Sequence, residues 1–205
     1  VGESGCGKST LARLLMQLIP LDSGKIYFKG EDITGAKGKS LKKVRENMQM
    51  IFQDSYASLN PRMRIGKIIE EPLVIHGEVS SAKRKKRVTQ VLEIVGLSEK
   101  SYYKFPHEFS GGQRQRIDIA RALVFNPDIV ICDEAVSALD VSVQSQILNL
   151  LKELQARLDL SFIFISHDLS VVRHISDAIM VMYLGKTLET AGKYELFDKP
   201  LHPYT

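Results

Sequence analysis

The chain has 205 residues, of which 25% are charged and 44% hydrophobic, and a net charge of +4. That composition suits one globular unit, alone or with an attached lobe. It excludes a membrane-spanning helix, because the longest apolar run, Ala178 to Leu184, has only the length of a strand. No signal peptide is recognisable.

The chain opens with VGESGCGKST, in which Gly2, Gly5, Gly7, Lys8 and Ser9 fill the pattern G-x-x-x-x-G-K-[ST]. Glycines let the backbone approach an anion closely, so successive amides form a nest for phosphate oxygens. A helix following the loop adds its positive N-terminal end. Gly2, Ser4, Gly5, Cys6, Gly7, Lys8, Ser9 and Thr10 are therefore expected to bind nucleotide phosphates. Lys8 supplies the charge for the outer phosphates, and the Ser9 hydroxyl is a ligand for Mg²⁺. Cys6 and Cys132 stand in a loop and in an apolar strand, which speaks against a disulfide and for a reducing compartment.

Residues 10–19 read as the helix after this loop. Pro20 to Gly24 form a turn, residues 25–28 a short strand, residues 35–40 a loop and residues 48–52 a strand ending at Gln53. From 64 to 104 the pattern is mostly helical, punctuated by Pro72, His76-Gly77 and Gly96. Lys83-Arg84-Lys85-Lys86-Arg87 carries much of the excess charge. It could face nucleic acid or an anionic membrane, but Val88, Val91, Leu92 and Val95 follow at helical spacing, which favours the solvated face of a helix.

After Ser110-Gly111-Gly112, a helix places Ile117, Ala120, Leu123 and Val124 on one face. Ile129 to Cys132 form a continuous apolar strand of the type buried on both faces of a parallel sheet. Val143 to Arg157 form an amphipathic helix, residues 162–165 a second buried strand, and residues 179–184 and 186–188 a hairpin around Gly185. The alternation of strands and helices predicts an α/β fold.

The apolar strand ends in Asp133 and Glu134, and acids at the carboxyl end of a parallel strand project into a ligand crevice. Asp133 is expected to hold Mg²⁺ and Glu134 to orient or deprotonate an attacking water.

With these residues in hand, Ser110-Gly111-Gly112-Gln113 resembles the signature of ABC-type ATPases, and the other motifs of that family follow in order. Gln53 matches its Q-loop glutamine, Asp140 in Ser137-Ala138-Leu139-Asp140 its D-loop, and His167 its switch histidine. The segments FQDSYASLNPRM, FSGGQRQR, SALDVSVQ, FISHDLSVVRHISD and PLHPYT narrow the resemblance to ATP-binding subunits of bacterial oligopeptide and dipeptide importers.

The resemblance implies a P-loop NTPase, RecA-like, with a mostly parallel sheet flanked by helices. Residues 1–53 and 127–205 would be the ATPase core, and residues 54–126 an inserted helical subdomain. It implies ATP and Mg²⁺ as cofactors. Glu134, His167 and Gln53 would be catalytic, Gln53 touching Mg²⁺ or the water. Ser110, Gly111, Gly112 and Gln113 would cap ATP held by a second ATPase subunit, with Asp140 carrying contacts across the seam. Further implied partners are two transmembrane permease subunits, docking around residues 54–80, and indirectly a periplasmic or lipid-anchored solute-binding protein. Nucleic acid is not expected as a partner, although a soluble ABC-type ATPase acting on nucleic acid or ribosomes is the alternative. The location implied is the cytoplasmic face of the bacterial inner membrane. A kinase or GTPase would leave Ser110 to Gln113 and His167 without roles.

Two positions depart from the family pattern. Ala135 stands where proline usually follows the glutamate, and Asp118 stands where a small residue is usual. Asp118 is expected to be exposed and paired with Arg114 or Arg121. The family also has a strand and an adenine-stacking aromatic ahead of the P-loop, so a chain truncated at both ends is expected.

Overall fold

The computed structural model describes residues 1–53, 58–78 and 80–205. Residues 54–57 of FQDSYASLNPRM and Val79 lie outside the described residues. The order is α1 (Lys8–Leu15), β1 (Tyr27–Phe28), β2 (Glu31–Asp32), α2 (Gly38–Asn47), β3 (Met48–Ile51), α3 (Ile65–Ile75), α4 (Ser81–Ile94), two short 3₁₀ turns (Glu99–Tyr103 and Pro106–Glu108) and α5 (Gly111–Leu123). There follow β4 (Ile129–Asp133), α6 (Val141–Leu158), β5 (Ser161–Ile165), α7 (Leu169–Ile175), β6 (Ala178–Tyr183), β7 (Lys186–Gly192) and α8 (Lys193–Asp198).

β3, β4 and β5 form a parallel sheet in that order, with Met50 opposite Ile131 and Ile131 opposite Ile163. The run Ile129 to Cys132 is apolar throughout because β4 is the central strand and both its faces are covered. Successive side chains on a strand point to opposite faces. Val130 and Cys132 accordingly join the large cluster with Ile117 of α5 and Ile147 of α6, while Ile131 packs with Ala12 of α1 and with Met16 just beyond its end. Burying Ile131 completely contributes roughly 1.5–3 kcal/mol. The same large cluster runs on through Ile65 and Ile69 of α3 and Val88 and Leu92 of α4.

β6 and β7 make an antiparallel hairpin with an irregularity at Val181/Met182. This hairpin buttresses the glycine loop. Val1 pairs with Met180 and Met182, and the Gly185 amide donates to the Cys6 carbonyl at 3.0 Å. At Gly2, with φ 152°, a Cβ would run into the Met182 carbonyl, so only glycine fits.

Five expectations need revision. Residues 38–40 are not loop but the first turn of α2, and the loop-following helix begins at Lys8 and ends at Leu15. β5 is only half-buried at Phe162, Ile163 and Phe164, because it is the sheet's outer strand among the described residues. The basic run is not wholly solvated. Arg84 pairs at 2.7 Å with the buried Glu70, and Arg87 donates to the Val124 and Leu123 carbonyls at the end of α5, leaving Lys83, Lys85 and Lys86 outside. Burial pushes the Glu70 carboxyl up, but Lys67 and Arg84 outweigh it and hold the group below its usual range. Asp118 is paired with Arg121 at 3.1 Å, as expected, but is buried rather than exposed. It tolerates burial because the ion pair and the Ser58 hydroxyl satisfy its oxygens.

Both cysteines are free and buried. Burial pushes the Cys132 thiol from an ordinary 9.0 up to about 12. At pH 8, Cys132 should resist a thiol reagent in the folded protein and react on denaturation. Because the raised value belongs to the folded state, the stability this neutral thiol contributes is complete below pH 9.0 and is lost as pH climbs toward 12. Rapid labelling of Cys132 in the native protein would contradict this.

Candidate nucleotide site

The first seven residues wind into a loop because Gly5 and Gly7 take φ of 81° and 102°, values that L side chains rarely adopt. Gly7 is the N-cap of α1, so the orphan amides at the start of that helix face the loop's interior. Lys8 is buried, and its Nζ donates to the Gly2 and Glu3 carbonyls at 2.7 and 2.8 Å, with a weak contact to Cys6 Sγ at 3.8 Å. The ammonium is thus held against the loop rather than free to sweep through solvent. A cleft of about 240 Å³ is lined by Ser4, Gly5, Gly7, Lys8, Ser9, Thr10, Gln53 and Glu134.

β4 ends in Asp133 beside this cleft, and Glu134, the next residue, lines it. The Ser9 hydroxyl donates to Asp133 Oδ1 at 3.0 Å, so a neutral and a charged oxygen sit side by side. Beyond Asp133 the chain turns at Glu134, which takes φ 49° while its amide donates to the Ile165 carbonyl at 3.0 Å. A non-glycine residue in the left-handed region carries a local cost, and such residues gather at sites that need one side-chain direction. Here the direction brings Oε2 to Gln53 Nε2 at 3.0 Å and Oε1 to His167 Nδ1 at 3.1 Å. The ends of three adjacent parallel strands supply these groups: Gln53 follows β3, Glu134 follows β4 and His167 follows β5.

Two expected residues of the loop behave differently from the rest. Gly2 and Cys6 are not part of the cleft lining; Cys6 is buried behind it.

Ser110 to Gln113 lie outside the cleft lining as well. Ser110 caps α5 in a reciprocal pair with Gln113: the Gln113 amide donates to the serine hydroxyl, and the Ser110 amide donates to Gln113 Oε1. Asp140 caps α6 from one side only, its carboxylate accepting from the Val143 amide. That amide and the Ser142 hydroxyl hold the Asp140 carboxyl below its usual range. The two helix starts are neighbours. A Cβ at Gly112 would run into Val143, and one at Gly111 would lie 3.6 Å from Leu139. The chain therefore presents two separate helix N-termini at its glycine-bearing motifs, one at Lys8 and one at Gly111.

The motifs did not point to a second, larger groove of about 750 Å³ that borders the site. Its lining includes Ser9, Gln53 and Asp133, three cationic side chains (Arg13, Arg45 and Arg121) and the apolar Phe52, Ile75 and Phe125. No local pattern marks these residues, because they come from distant elements. Ser58, bonded to Asp118, was missed for the same reason.

Among the described residues no group of three or more His, Cys, Asp or Glu could hold a metal ion by itself. Ser9 and Asp133 are nonetheless the oxygen donors that suit Mg²⁺, an ion that takes one or two protein ligands and completes its shell with phosphate and water. No described helix is long and apolar enough to cross a membrane.

A family model described as ABC transporter matches residues 1–137. The chain is 56% identical over 206 residues to the oligopeptide transport ATP-binding protein AppF of Bacillus subtilis, covering 100% of this chain and 63% of that protein. It is 52% identical over 205 residues to the dipeptide transport ATP-binding protein DppF of Escherichia coli, covering 100% of this chain and 61% of that protein. The chain thus spans less than two thirds of the length of these relatives. Among solved structures, cbiO1 of Clostridium perfringens, part of the ABC transporter complex cbiONQ, superposes with a TM-score of 0.86 at 30% identity, covering 97% of this chain and 78% of that one. A dimeric ATP-binding cassette in a post-hydrolysis state with ADP and Pi gives 0.79 at 30% identity, covering 94% and 83%.

Proposed function

Since the chain belongs to the ABC transporter family, we propose that it binds and hydrolyses ATP to energise import of oligopeptides, dipeptides or related small solutes across a bacterial inner membrane. The observation that carries this reading is the placement of Glu134, held by Gln53 and His167, on the cleft formed by the glycine loop.

The loop amides and Lys8 would hold the β- and γ-phosphates, with a phosphate oxygen displacing the weak Lys8–Cys6 contact. Ser9 and Asp133 would hold Mg²⁺, whose bound charge offsets that of the phosphates, and Gln53 lies within reach of the same region. Glu134 accepts the proton of the water that attacks the γ-phosphorus, as the bond to the β–γ bridging oxygen breaks and ADP and phosphate are released. With one donor on each carboxylate oxygen, Glu134 keeps a fixed aim and spare lone pairs for that water. His167 and Gln53 both sense whether the γ-phosphate is present.

The amides at Ser110 to Gln113 would bind the ATP held by a second ATPase subunit, identical or similar, and Asp140 lies at that seam. Nucleotide then closes the pair and hydrolysis releases it. Residues 54–126 act as a helical lobe on the ATPase core of residues 1–53 and 127–205. The 750 Å³ groove would receive a cytoplasmic helix of one permease subunit, with the second permease docking on the paired ATPase subunit, and a solute-binding protein outside the membrane would choose the cargo. The protein would sit peripherally on the cytoplasmic face.

The test is reconstitution of the intact protein with its permease subunits in liposomes. We expect peptide uptake that needs ATP and Mg²⁺. ATP turnover with no dependence on the permeases, and no solute uptake, would count against transport.

A further inference from the structure

The segment PLHPYT, residues 200–205, takes no part in the proposed chemistry, yet it folds back against the glycine loop. Glu189 of β7 holds the start of the segment: its two carboxylate oxygens accept from the Leu201 and His202 amides at 2.9 and 3.2 Å. The Leu201 amide above all keeps the Glu189 carboxyl below its usual range. His202 then makes the turn. Its ring Nδ1 accepts from the Tyr204 amide at 3.1 Å and its carbonyl from the Thr205 amide at 2.9 Å, with Pro203 fixing φ between them. The turn delivers Tyr204, whose ring packs on the cluster of Val172, Ile179, Val181 and Leu196 and lies 4.6 Å from the ring of Tyr183. The Tyr204 hydroxyl accepts from the Glu3 amide at 3.3 Å. The Glu3 carbonyl in turn accepts from Lys8 Nζ at 2.8 Å and from the Cys6 amide at 3.3 Å.

From this geometry we propose that PLHPYT braces the phosphate loop from outside, and that Tyr204 is a positioning residue that fixes Glu3 and, through it, Lys8. Glu3 and Ser4 stand between Gly2 and Gly5, so this stretch of loop has much backbone freedom and little stiffness of its own. Glu3 is gripped at both backbone polar groups, by Tyr204 at the N–H and by Lys8 and Cys6 at the carbonyl. Tyrosine suits the task because its ring anchors in an apolar cluster while its tip remains a hydrogen-bonding group. Tyr204 does not line the 240 Å³ cleft, so it acts on the loop and not on the nucleotide. One neutral hydrogen bond is a modest restraint, and its effect is to tune affinity, not to create it. The inference rests on the nucleotide-binding reading and adds to it the residues that set the loop's geometry from outside the cleft.

The experiment is a double-mutant cycle on the intact protein, read by titration with a fluorescent ATP analogue and by steady-state turnover. Tyr204→Phe keeps the ring and removes the hydroxyl. It should weaken binding about fivefold, the scale of one neutral hydrogen bond, with thermal stability unchanged. KM for ATP should rise while kcat holds, because Glu134 and its partners are untouched. Glu189→Ala, which frees the turn from β7, should weaken binding to a similar extent. In a Lys8→Ala background Tyr204→Phe should cost little more, because the brace acts through Lys8. Additive losses in the cycle, or an affinity unchanged by Tyr204→Phe or by Glu189→Ala, overturn the proposal. So does a fall in kcat at constant KM, or a loss of affinity matched by a fall in thermal stability. Lys8→Ala separates the two readings. If it leaves affinity intact, the phosphate loop is misassigned and the brace falls with it. If it weakens binding while Tyr204→Phe does not, only the brace fails.

Discussion

Replacing Glu134 by glutamine should reduce ATP turnover at least about a hundredfold, within the range for loss of a general base. The substitution keeps the size and one acceptor oxygen, so the packing around φ 49° is undisturbed and the fold should stay intact. What disappears is the charge that takes the proton. Nucleotide binding depends on Lys8 and the loop amides and should survive. The variant should therefore accumulate as a nucleotide-bound pair of subunits, visible by size-exclusion chromatography with ATP and absent with ADP. Steady-state phosphate release and elution volume are both measured. Unchanged turnover would remove Glu134 from this role, and loss of binding together with turnover would mean that the residue serves the loop's structure instead.

The second large effect is expected at Lys8. Lys8→Ala should weaken ATP binding about a hundredfold, the scale of losing one partner of a desolvated charge pair. Lys8 is only 6% exposed, and its ammonium is aimed by two loop carbonyls. Lys8→Arg should not rescue binding, because the planar guanidinium is larger and cannot sit as a point charge among the Gly2 and Glu3 carbonyls. Titration with a fluorescent ATP analogue reads the affinity, and circular dichroism shows whether the loop variants remain folded. Affinity equal to that of the unaltered protein would disprove the cradle.

Much of the molecule is legible from local pattern. The phosphate loop is contiguous, so its spacing alone specifies a backbone nest. Ile129 to Glu134 also reads directly, because a strand covered on both faces must be apolar until it emerges at its carboxyl end. α5 and α6 are equally plain, with Ile117, Ala120 and Leu123 and with Ile147, Leu151 and Leu154 buried at helical spacing.

Long-range arrangement is not legible in this way. Glu70 and Arg84 come from different helices, and nothing in the run at 83–87 says that two of its five charges turn inward. Asp118 looked like a surface acid because α5 shows only its own periodicity; the segment at Ser58 that covers it is sixty residues away. Residues 35–40 read as a loop because Gly35 and Gly38 carry weak helix propensity, yet the last three of them open α2, whose Val44 is buried.

The sequence by itself therefore determined what one uninterrupted stretch can encode: the glycine loop ahead of α1, the acids closing β4 and the buried faces of α5 and α6. Only the tertiary structure decided how Gln53, Glu134 and His167 meet, which charges are buried, and that Asp118 grips Ser58. Spacing within a helix or strand follows from covalent geometry and repeats with a fixed period. Contacts between elements depend on how strands pair and helices pack, and no local period records that.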